Sequence, residues 1–377
     1  MALSSSSAPD AAPESADLYR VIVVDDSLFA RRFIARVFDS DPAFKVVATA
    51  GNGIMAVNAL RREPADVVLL DIEMPAMDGL TAIAQLKAVD PAVQIIMVST
   101  LTHHNAEISL RALALGATDY IPKPSTDQSL NAAGDFKRAL LEKSRALSLV
   151  ARREGVRRGG KAAPVAQPVA EPKKSIKLRE GVILKPEIIA IGASTGGPQA
   201  LFEVVKKMGA GLPQPTVIVQ HMPPAFTTIL SEHITRQCGV VCHEARDGET
   251  LGPGHYYVAP GDYHMLVARR AEKPAIILTK DPAENYCRPA LDPMLRSLAE
   301  VYGKRVTAII LTGMGQDGWN GCEAIARAGG GVIAQDESTS VVWGMPGAVA
   351  QAGLCSSVLP LGEIGTSVRE LALGTEP

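Results

Sequence analysis

The chain has 377 residues and a formal net charge of −2 at pH 7. That length is too great for one ordinary domain, so we expect two. A charge this close to zero gives no bulk attraction to nucleic acid or to an anionic membrane surface. No apolar run approaches the ~20 residues of a membrane span. We therefore expect a protein that neither binds nucleic acid nor inserts directly into a membrane.

Residues 1–18 are rich in Ser, Ala and Pro and lack the basic start and apolar core of a signal peptide, which predicts a disordered tail. The five cysteines form no Cys-x-x-Cys motif and all lie in the second half of the chain. An odd number of cysteines without an export signal favours reduced thiols and a cytoplasmic protein. A metal site at Cys238, Cys242 and His243 is disfavoured because four ligands at ordinary spacing are not present.

Between residues 19 and 150, short apolar runs alternate with segments whose apolar residues recur every three or four positions. The runs are typical of buried strands, and the spacing is typical of amphipathic helices. Five strands, each followed by a helix, predict a parallel sheet with helices on both faces. The predicted strands are Arg20–Val24, Lys45–Ala48, Asp66–Leu70, Gln94–Ser99 and Thr118–Ile121. The predicted helices are Leu28–Phe38, Gly53–Arg62, Leu80–Val89, Ala106–Leu115 and Leu130–Arg152.

Polar side chains follow several of these strands, at the sheet edge where ligands of parallel sheets bind. Asp25 and Asp26 follow the first strand, Asp71 the third, and Lys123 the fifth. Three carboxylates at one edge repel each other unless a divalent cation lies between them, and an oxygen-only site suits Mg²⁺. Asp71 is then a candidate phosphoryl acceptor, with Lys123 neutralising its oxygens and Ser99 donating a hydrogen bond. Each aspartate alone is more often a helix cap.

Four segments of this half resemble the motifs of response-regulator receiver domains: Val-Val-Asp-Asp-Ser at 23–27, Leu-Asp-Ile-Glu-Met-Pro-Ala-Met-Asp-Gly at 70–79, Met-Val-Ser-Thr at 97–100 and Pro-Lys-Pro at 122–124. The resemblance implies a flavodoxin-like receiver over residues 19–150, with Asp71 as the phospho-acceptor. It implies a switch pair, Ser99 and Tyr120, near Lys123. The residues that it assigns to Mg²⁺ are Asp25 (through water), Asp26, Asp71 and Glu73 (through its backbone carbonyl).

Residues 151–182 are basic, contain Pro and Gly, and lack aromatic side chains. This composition favours a flexible linker. The Arg and Lys cluster could also contact an acidic partner or nucleic acid, but nothing aromatic is interleaved with it.

Ser194 lies at the end of a β-branched run, in a Gly-Ala-Ser-Thr-Gly-Gly-Pro segment that predicts a strand, a sharp turn and a helix. Glycines at both second neighbours match the Gly-x-Ser-x-Gly pattern, in which a tight turn presents a nucleophilic hydroxyl. The free N–H groups of the first helical turn are then available to an oxyanion. The alternative is a glycine-rich turn that binds a phosphate or only packs closely.

His221 and Asp317 follow two further predicted strands, Thr216–Gln220 and Val306–Leu311. At one sheet edge with Ser194 they would form a Ser-His-Asp set, with backbone N–H groups of Thr195 and Met314 as the oxyanion site. The alternatives are a surface histidine and a helix-capping aspartate. The chain order Ser-His-Asp differs from that of α/β hydrolases, so the turn does not indicate that fold.

Several segments of this half resemble the chemotaxis protein-glutamate methylesterase family: those at 191–198, 220–223, 259–264, 311–318 and 344–346. The resemblance implies a doubly wound α/β domain over residues 183–377, with Ser194, His221 and Asp317 as its triad. It implies hydrolysis of glutamate γ-methyl esters on methyl-accepting chemoreceptors, deamidation of receptor glutamines, and a chemotaxis histidine kinase as phosphodonor. It implies no cofactor in the esterase domain. Two other functions stay open at this point, a receiver-gated binding module and a serine hydrolase of small esters.

Overall fold

The computed structural model describes residues 18–100, 102–123, 130–157, 176–180 and 184–374. The N-terminal tail and most of the expected linker therefore lie outside the described residues. In the described part of the chain, no helix combines the length and the apolar character needed to cross a membrane. These residues form two α/β units, each built on its own parallel sheet.

The first unit is a five-stranded parallel sheet in the order β2-β1-β3-β4-β5, which confirms the predicted receiver fold. Its central strands are buried along their whole length because helices cover both faces, which explains their continuous apolar runs. The strands are β1 (Tyr19–Val24), β2 (Phe44–Ala50), β3 (Val67–Asp71), β4 (Gln94–Ser99) and β5 (Asp119–Pro122).

Five helices accompany this sheet: α1 (Leu28–Asp39), α2 (Gly53–Arg62), α3 (Gly79–Val89), α4 (His103–Ala114) and α5 (Leu130–Arg157). The first four begin after a Ser, Asn, Asp or Thr whose side chain accepts a backbone N–H of the first turn. Helix α5 continues beyond its predicted end at Arg152. Arg152 anchors it to the receiver through an ion pair with Asp66 at 3.1 Å.

The second unit contains a seven-stranded sheet in the order β14-β13-β12-β6-β7-β9-β8, parallel throughout. An antiparallel hairpin, β10-β11, stands apart from it. The strands are β6 (Ile188–Ala193), β7 (Thr216–Gln220), β8 (Val241–Glu244), β9 (His255–Val258), β10 (His264–Arg270), β11 (Lys273–Thr279), β12 (Val306–Ile310), β13 (Gly331–Gln335) and β14 (Ser357–Leu359).

Helices pack on both faces of this sheet, and alternate residues of β6 show the two layers. Ile189 and Ile191 belong to the core beneath α6, α7 and α11, whereas Ile188 and Ala190 belong to the core beneath α8, α9 and α10. The predicted doubly wound α/β fold is therefore confirmed. The helices are α6 (Gly197–Met208), α7 (Phe226–Cys238), α8 (Leu291–Tyr302), α9 (Trp319–Arg327), α10 (Met345–Gln351) and α11 (Leu361–Leu373).

The strand order places β6 between β12 and β7. The carboxyl ends of these three strands therefore meet at one edge, and the turns that follow them carry the second predicted site. Strands β13 and β14 and helices α7, α10 and α11 had no prediction from the sequence, whereas α9 follows the predicted strand-to-helix turn at 312–318. Residues 176–180, expected within the linker, lie on the second unit instead, where the Arg179 N–H donates to the Cys355 carbonyl at 2.7 Å.

Candidate active site

Ser194 lies in the turn between β6 and α6, at the edge of the sheet, so its hydroxyl is outside the strand. A side chain at Gly192 would overlap Leu291 of α8, with a Cβ 2.0 Å from Cδ2. Gly196 has a φ of +74°, a left-handed conformation that glycine adopts without strain. The Ser194 N–H donates to the Thr312 carbonyl at 3.0 Å, which ties this turn to the one after β12. The glycines of the motif are thus explained by close packing and by backbone conformation.

His221 follows β7 directly, and its N–H donates to the Ala193 carbonyl of the neighbouring strand at 3.2 Å. Its Nε2 lies 2.7 Å from Asp317 Oδ2. Its Nδ1 lies 3.4 Å from the sulfur of Cys287. Among the described residues, Ser194 Oγ makes no hydrogen bond with His221. Both residues nevertheless line one cleft of about 780 Å³, together with Met314.

Only 2% of Asp317 is exposed to solvent. Its carboxylate acts as a hydrogen-bond acceptor for several surrounding groups. Its carboxylate accepts the N–H groups of Leu291 at 2.6 Å, Asp292 at 3.1 Å and Gly318 at 3.0 Å. It also accepts a hydrogen bond from the Asn285 amide at 3.0 Å. Asp317 therefore caps the start of α8 and also bonds to the N–H of Gly318, whereas the sequence predicts only a cap of the helix that follows Asp317.

Burial and charge act in opposite directions on this pair. Burial would raise the pKa of Asp317, but the hydrogen bond and charge of His221 and the N–H groups of Leu291 and Asp292 hold it below its usual value. Burial would lower the pKa of His221, but Cys287 and Asp317 raise it to about 10. Because ionised Asp317 only accepts, Nε2 of His221 keeps a proton, and Nδ1 is the nitrogen that gains and loses one.

The two expected oxyanion donors lie in the turns that follow the neighbouring strands β6 and β12, and Met314 lines the cleft. Neither the Thr195 N–H nor the Met314 N–H takes part in a backbone hydrogen bond within the described residues. Free N–H groups of this kind can stabilise a developing oxyanion. The Thr195 side chain points elsewhere, since its hydroxyl donates to Asp119 Oδ2 at 2.8 Å.

The carboxylates of the receiver edge also come together. Atoms of Asp25, Asp26 and Asp71 lie within 4.8 Å of one another. Lys123 Nζ lies 2.7 Å from Asp25 Oδ2 and 2.8 Å from Asp71 Oδ2. Burial raises the pKa of Asp71, although the bond and charge of Lys123 act against it. Three carboxylates and one ammonium leave an excess of negative charge, which fits a divalent cation; Glu73 lines the same groove as Asp26.

The two expected switch residues lie deeper in the receiver. Ser99 Oγ is 3.3 Å from Ser109 Oγ of α4. Tyr120 is buried, and its ring stacks on Phe226 of the second unit with centroids 4.5 Å apart. Burial raises the pKa of Tyr120 well above its usual value. Strand β5 of the receiver is therefore part of the contact between the two units.

Further contacts around the cleft involve helix α5 and strand β5 of the receiver. Lys143 of α5 pairs with Asp119 at 2.9 Å, beside the Asp119–Thr195 bond. The guanidinium of Arg138 lies 4.0 Å from the ring centre of Tyr286. One wall of the cleft that contains Ser194 and His221 is therefore formed by receiver helix α5.

Three residues near the triad carried no sequence prediction: Asn285, Cys287 and Asp292. They lie in the loop between β11 and α8 or at the start of that helix. In the sequence they are only polar residues of a loop and an aspartate near a helix start, and neither pattern distinguishes a site from an ordinary turn. Their proximity to Asp317 and His221 depends on the path of a loop that has no regular pattern.

Comparison with known proteins connects both units to one family. The CheB methylesterase model matches residues 189–368, and the response regulator receiver domain model matches residues 21–134. A protein-glutamate methylesterase/protein-glutamine glutaminase of group 2 operon from Rhodospirillum centenum is 55% identical over 94% of this chain and 94% of its own length.

A protein-glutamate methylesterase/protein-glutamine glutaminase from Azospirillum brasilense is also 55% identical, over 94% of this chain and 93% of its own length. The solved CheB methylesterase catalytic domain of Thermotoga maritima is 40% identical and covers 50% of this chain and 100% of its own, with a TM-score of 0.49. By its similarity to the full-length relatives, the chain belongs to the CheB methylesterase family and is an enzyme of that family with a response regulator receiver domain ahead of its methylesterase domain.

Proposed function

We propose that this chain hydrolyses glutamate γ-methyl esters on methyl-accepting chemoreceptors, using Ser194, His221 and Asp317, under the control of phosphorylation at Asp71. The observation that carries the proposal is the meeting of Ser194 with the His221–Asp317 pair at one cleft of a methylesterase domain. The names of the relatives support the ester substrate and add deamidation of glutamine as a second reaction.

In the proposed reaction, Ser194 Oγ attacks the ester carbonyl carbon while Nδ1 of His221 takes the hydroxyl proton. Collapse of the tetrahedral intermediate breaks the bond to the methoxy group, and the proton on His221 leaves with methanol. Water then attacks the acyl-enzyme with His221 again as base, which releases the glutamate side chain and restores Ser194. A glutamine substrate follows the same steps and releases ammonia in place of methanol.

Asp317 and two backbone groups support these steps. The buried Asp317 carboxylate keeps the proton of His221 on Nε2 and stabilises the imidazolium that forms after proton transfer. The N–H groups of Thr195 and Met314 stabilise the negative oxygen of the tetrahedral intermediate. Asp317 itself stays ionised, because the Asn285 amide and the N–H groups of Leu291 and Asp292 donate hydrogen bonds to it.

In the receiver, Asp71 is the proposed phospho-acceptor. Asp25, Asp26 and Asp71, with the backbone carbonyl of Glu73, would hold Mg²⁺, which supplies positive charge to the phosphoryl oxygens when bound. Lys123 contacts the Asp71 carboxylate and can neutralise negative charge on an oxygen of the phosphoryl group attached there. The proposed phosphodonor is a chemotaxis histidine kinase, in keeping with the receiver domain.

The control is proposed to act through the cover that α5 forms over the cleft. A receptor helix is ~10–12 Å wide with its side chains, and we infer that it needs the space that α5 takes up as one wall of the cleft. Phosphorylation of Asp71 would draw Ser99 toward the phosphoryl group and disturb the Tyr120–Phe226 contact, which favours forms with an open cleft.

The test is methanol release from methylated receptor membranes. We expect release by the full chain, loss of release in Ser194→Ala, and no change in the matched control Ser338→Ala, which alters an exposed serine after β13. Absence of methanol from the wild-type chain would contradict the proposal and favour a binding module. Hydrolysis of small esters without methanol from receptors would instead favour a small-ester hydrolase.

A further inference from the structure

Asn285 lies in the loop between β11 and α8, next to the buried end of the His221–Asp317 pair. Its side-chain nitrogen lies 3.0 Å from Asp317 Oδ1 and 3.0 Å from Asp292 Oδ2. An amide nitrogen carries two hydrogens, so one can point at each carboxylate. Among the described residues, Asn285 is the only one whose side chain bonds to both.

The two carboxylates that Asn285 joins are both nearly inaccessible to solvent, with 2% of Asp317 and 1% of Asp292 exposed. Burial and the nearby charge of Asp317 raise the pKa of Asp292, although the Gly321 N–H and Asn285 act against this. Two buried carboxylates this close repel each other unless donors lie between them. The Asn285 amide supplies such donors without adding a charge.

The position of the Asn285 amide also bears on how Asp317 is oriented. Backbone N–H groups approach Asp317 from the start of α8 and from Gly318, whereas Asn285 approaches Oδ1 from the cleft side, where it is exposed. Asp317 Oδ2 accepts Nε2 of His221. Oδ1 also accepts the N–H groups of Asp292 and Gly318, so the Asn285 amide adds a side-chain bond to the set that fixes the plane of the carboxylate, and with it the direction of the bond to His221.

We propose that Asn285 is a positioning residue of the triad, which orients Asp317 and separates its charge from that of Asp292. The inference rests on the proposed function for its catalytic consequence, but its effect on the titration of His221 can be measured without any substrate. Within the described part of the chain the side chain of Asn285 bonds to Asp317 and Asp292 and makes no hydrogen bond to Ser194, so it acts through Asp317.

The backbone of Asn285 allows its side chain to be tested separately. Its φ is +51°, a left-handed conformation that glycine adopts freely. Asn285→Gly therefore removes the amide and leaves the turn unstrained. Glu272→Gly is the matched control, because Glu272 has a φ of +66° in the exposed β10–β11 turn.

The first measurement is methanol release from methylated receptor membranes by the full chain. We expect kcat of Asn285→Gly to fall about 10- to 100-fold with KM nearly unchanged, since a misplaced base slows the chemical step. Glu272→Gly should keep both values. Equal kcat in Asn285→Gly and the wild type would overturn the proposal.

Asn285→Asp gives a sharper pH readout. The new carboxyl group can still donate to one neighbouring carboxylate while it is protonated, whereas its ionised form adds a third negative charge beside Asp317 and Asp292. Relative to the wild type, we expect activity to be best at low pH and to decline as the pH rises. A role in folding alone would lower activity by the same factor at every pH, and that result would contradict the proposal.

The substrate-free measurement is a ¹⁵N NMR titration of histidine in the full chain. Loss of the Asn285 donor should raise the pKa of Asp317, weaken its pairing with His221 and lower the pKa of His221. An unchanged His221 titration in Asn285→Gly would overturn the proposal. A wild-type chain that releases no methanol from receptors, but whose His221 titration shifts in Asn285→Gly, would contradict the proposed function and leave the positioning role standing.

Discussion

Within the part of the chain that the structure describes, the Asp317 carboxylate accepts five hydrogen bonds, four of them from groups other than His221. A buried carboxylate with that many donors is held in its charged form despite the cost of desolvation. The same bonds begin α8 and orient His221. Substitution of this residue therefore affects both folding and the proposed reaction.

Replacing Asp317 by Asn should lower both activity and stability. The NH₂ group of the new asparagine would face N–H groups that now donate to the carboxylate oxygens of Asp317. It would also favour the tautomer of His221 that lacks a proton on Nε2. We expect kcat to fall by about 10²- to 10⁴-fold and stability to fall by about 2–4 kcal/mol. Steady-state kinetics and urea unfolding measure the two effects. Near-wild-type activity would show that Asp317 only caps α8.

Ser194→Ala and His221→Ala should each abolish nearly all esterase activity while the fold persists. The double variant should be no slower than either single variant, because residues that act in one step are not additive. Methanol release from receptor membranes gives the rates, and circular dichroism checks the fold. Multiplicative losses in the double variant would mean that the two side chains serve different steps.

Cys287→Ala should shift the pH dependence of kcat/KM. Cys287 helps to raise the pKa of His221, and the proposed base must be neutral to accept a proton. Removal of the thiol therefore lowers the pKa of His221 and moves the acidic limb of the profile to lower pH. Cys238→Ala is the control, because the Cys238 thiol donates to the Phe202 carbonyl of α6. An acidic limb at the wild-type pH in Cys287→Ala would count against this account of His221.

At the scale of elements, residues that directly follow strands could be predicted and loop residues could not. Ser194 and His221 stand where apolar runs end, and parallel strands bring such ends to one edge. Asn285 and Cys287 reach the same place through a loop with two left-handed residues, whose path depends on contacts formed only in the folded chain. The length of α5 was underestimated because its last turns are basic, and the contacts of Arg152 that hold them are long-range.

The contact between Arg138 of helix α5 and Tyr286 at the cleft can be tested by substitution. Arg138→Ala removes the guanidinium from the Tyr286 ring, a contact of about 0.5–1 kcal/mol, which corresponds to a roughly twofold to fivefold change in population. We expect faster methanol release from receptors without a phosphodonor. Lys137→Ala, an exposed neighbour on the same helix, is the control. Equal rates in Arg138→Ala and the wild type would argue that this contact does not help to close the cleft.

For the whole molecule, the receiver and esterase units are joined by the chain and by contacts at the cleft. Covalent connection keeps the receiver at high effective concentration, so even weak contacts can hold it over the cleft. The Asp119–Thr195 bond and the Tyr120–Phe226 stack lie within a few residues of the proposed switch and the proposed nucleophile. A structural change near Asp71 can therefore affect the turn that contains Ser194 through a small number of contacts between the two units.

The most direct test of receiver-controlled ester hydrolysis is the rate of methanol release from methylated receptor membranes, with and without acetyl phosphate and Mg²⁺, for the wild-type chain and Asp71→Ala. We predict that the phosphodonor accelerates the wild-type chain, whereas Asp71→Ala keeps its basal rate and gains nothing. Equal stimulation of both proteins, or no stimulation of the wild-type chain, would contradict control through Asp71.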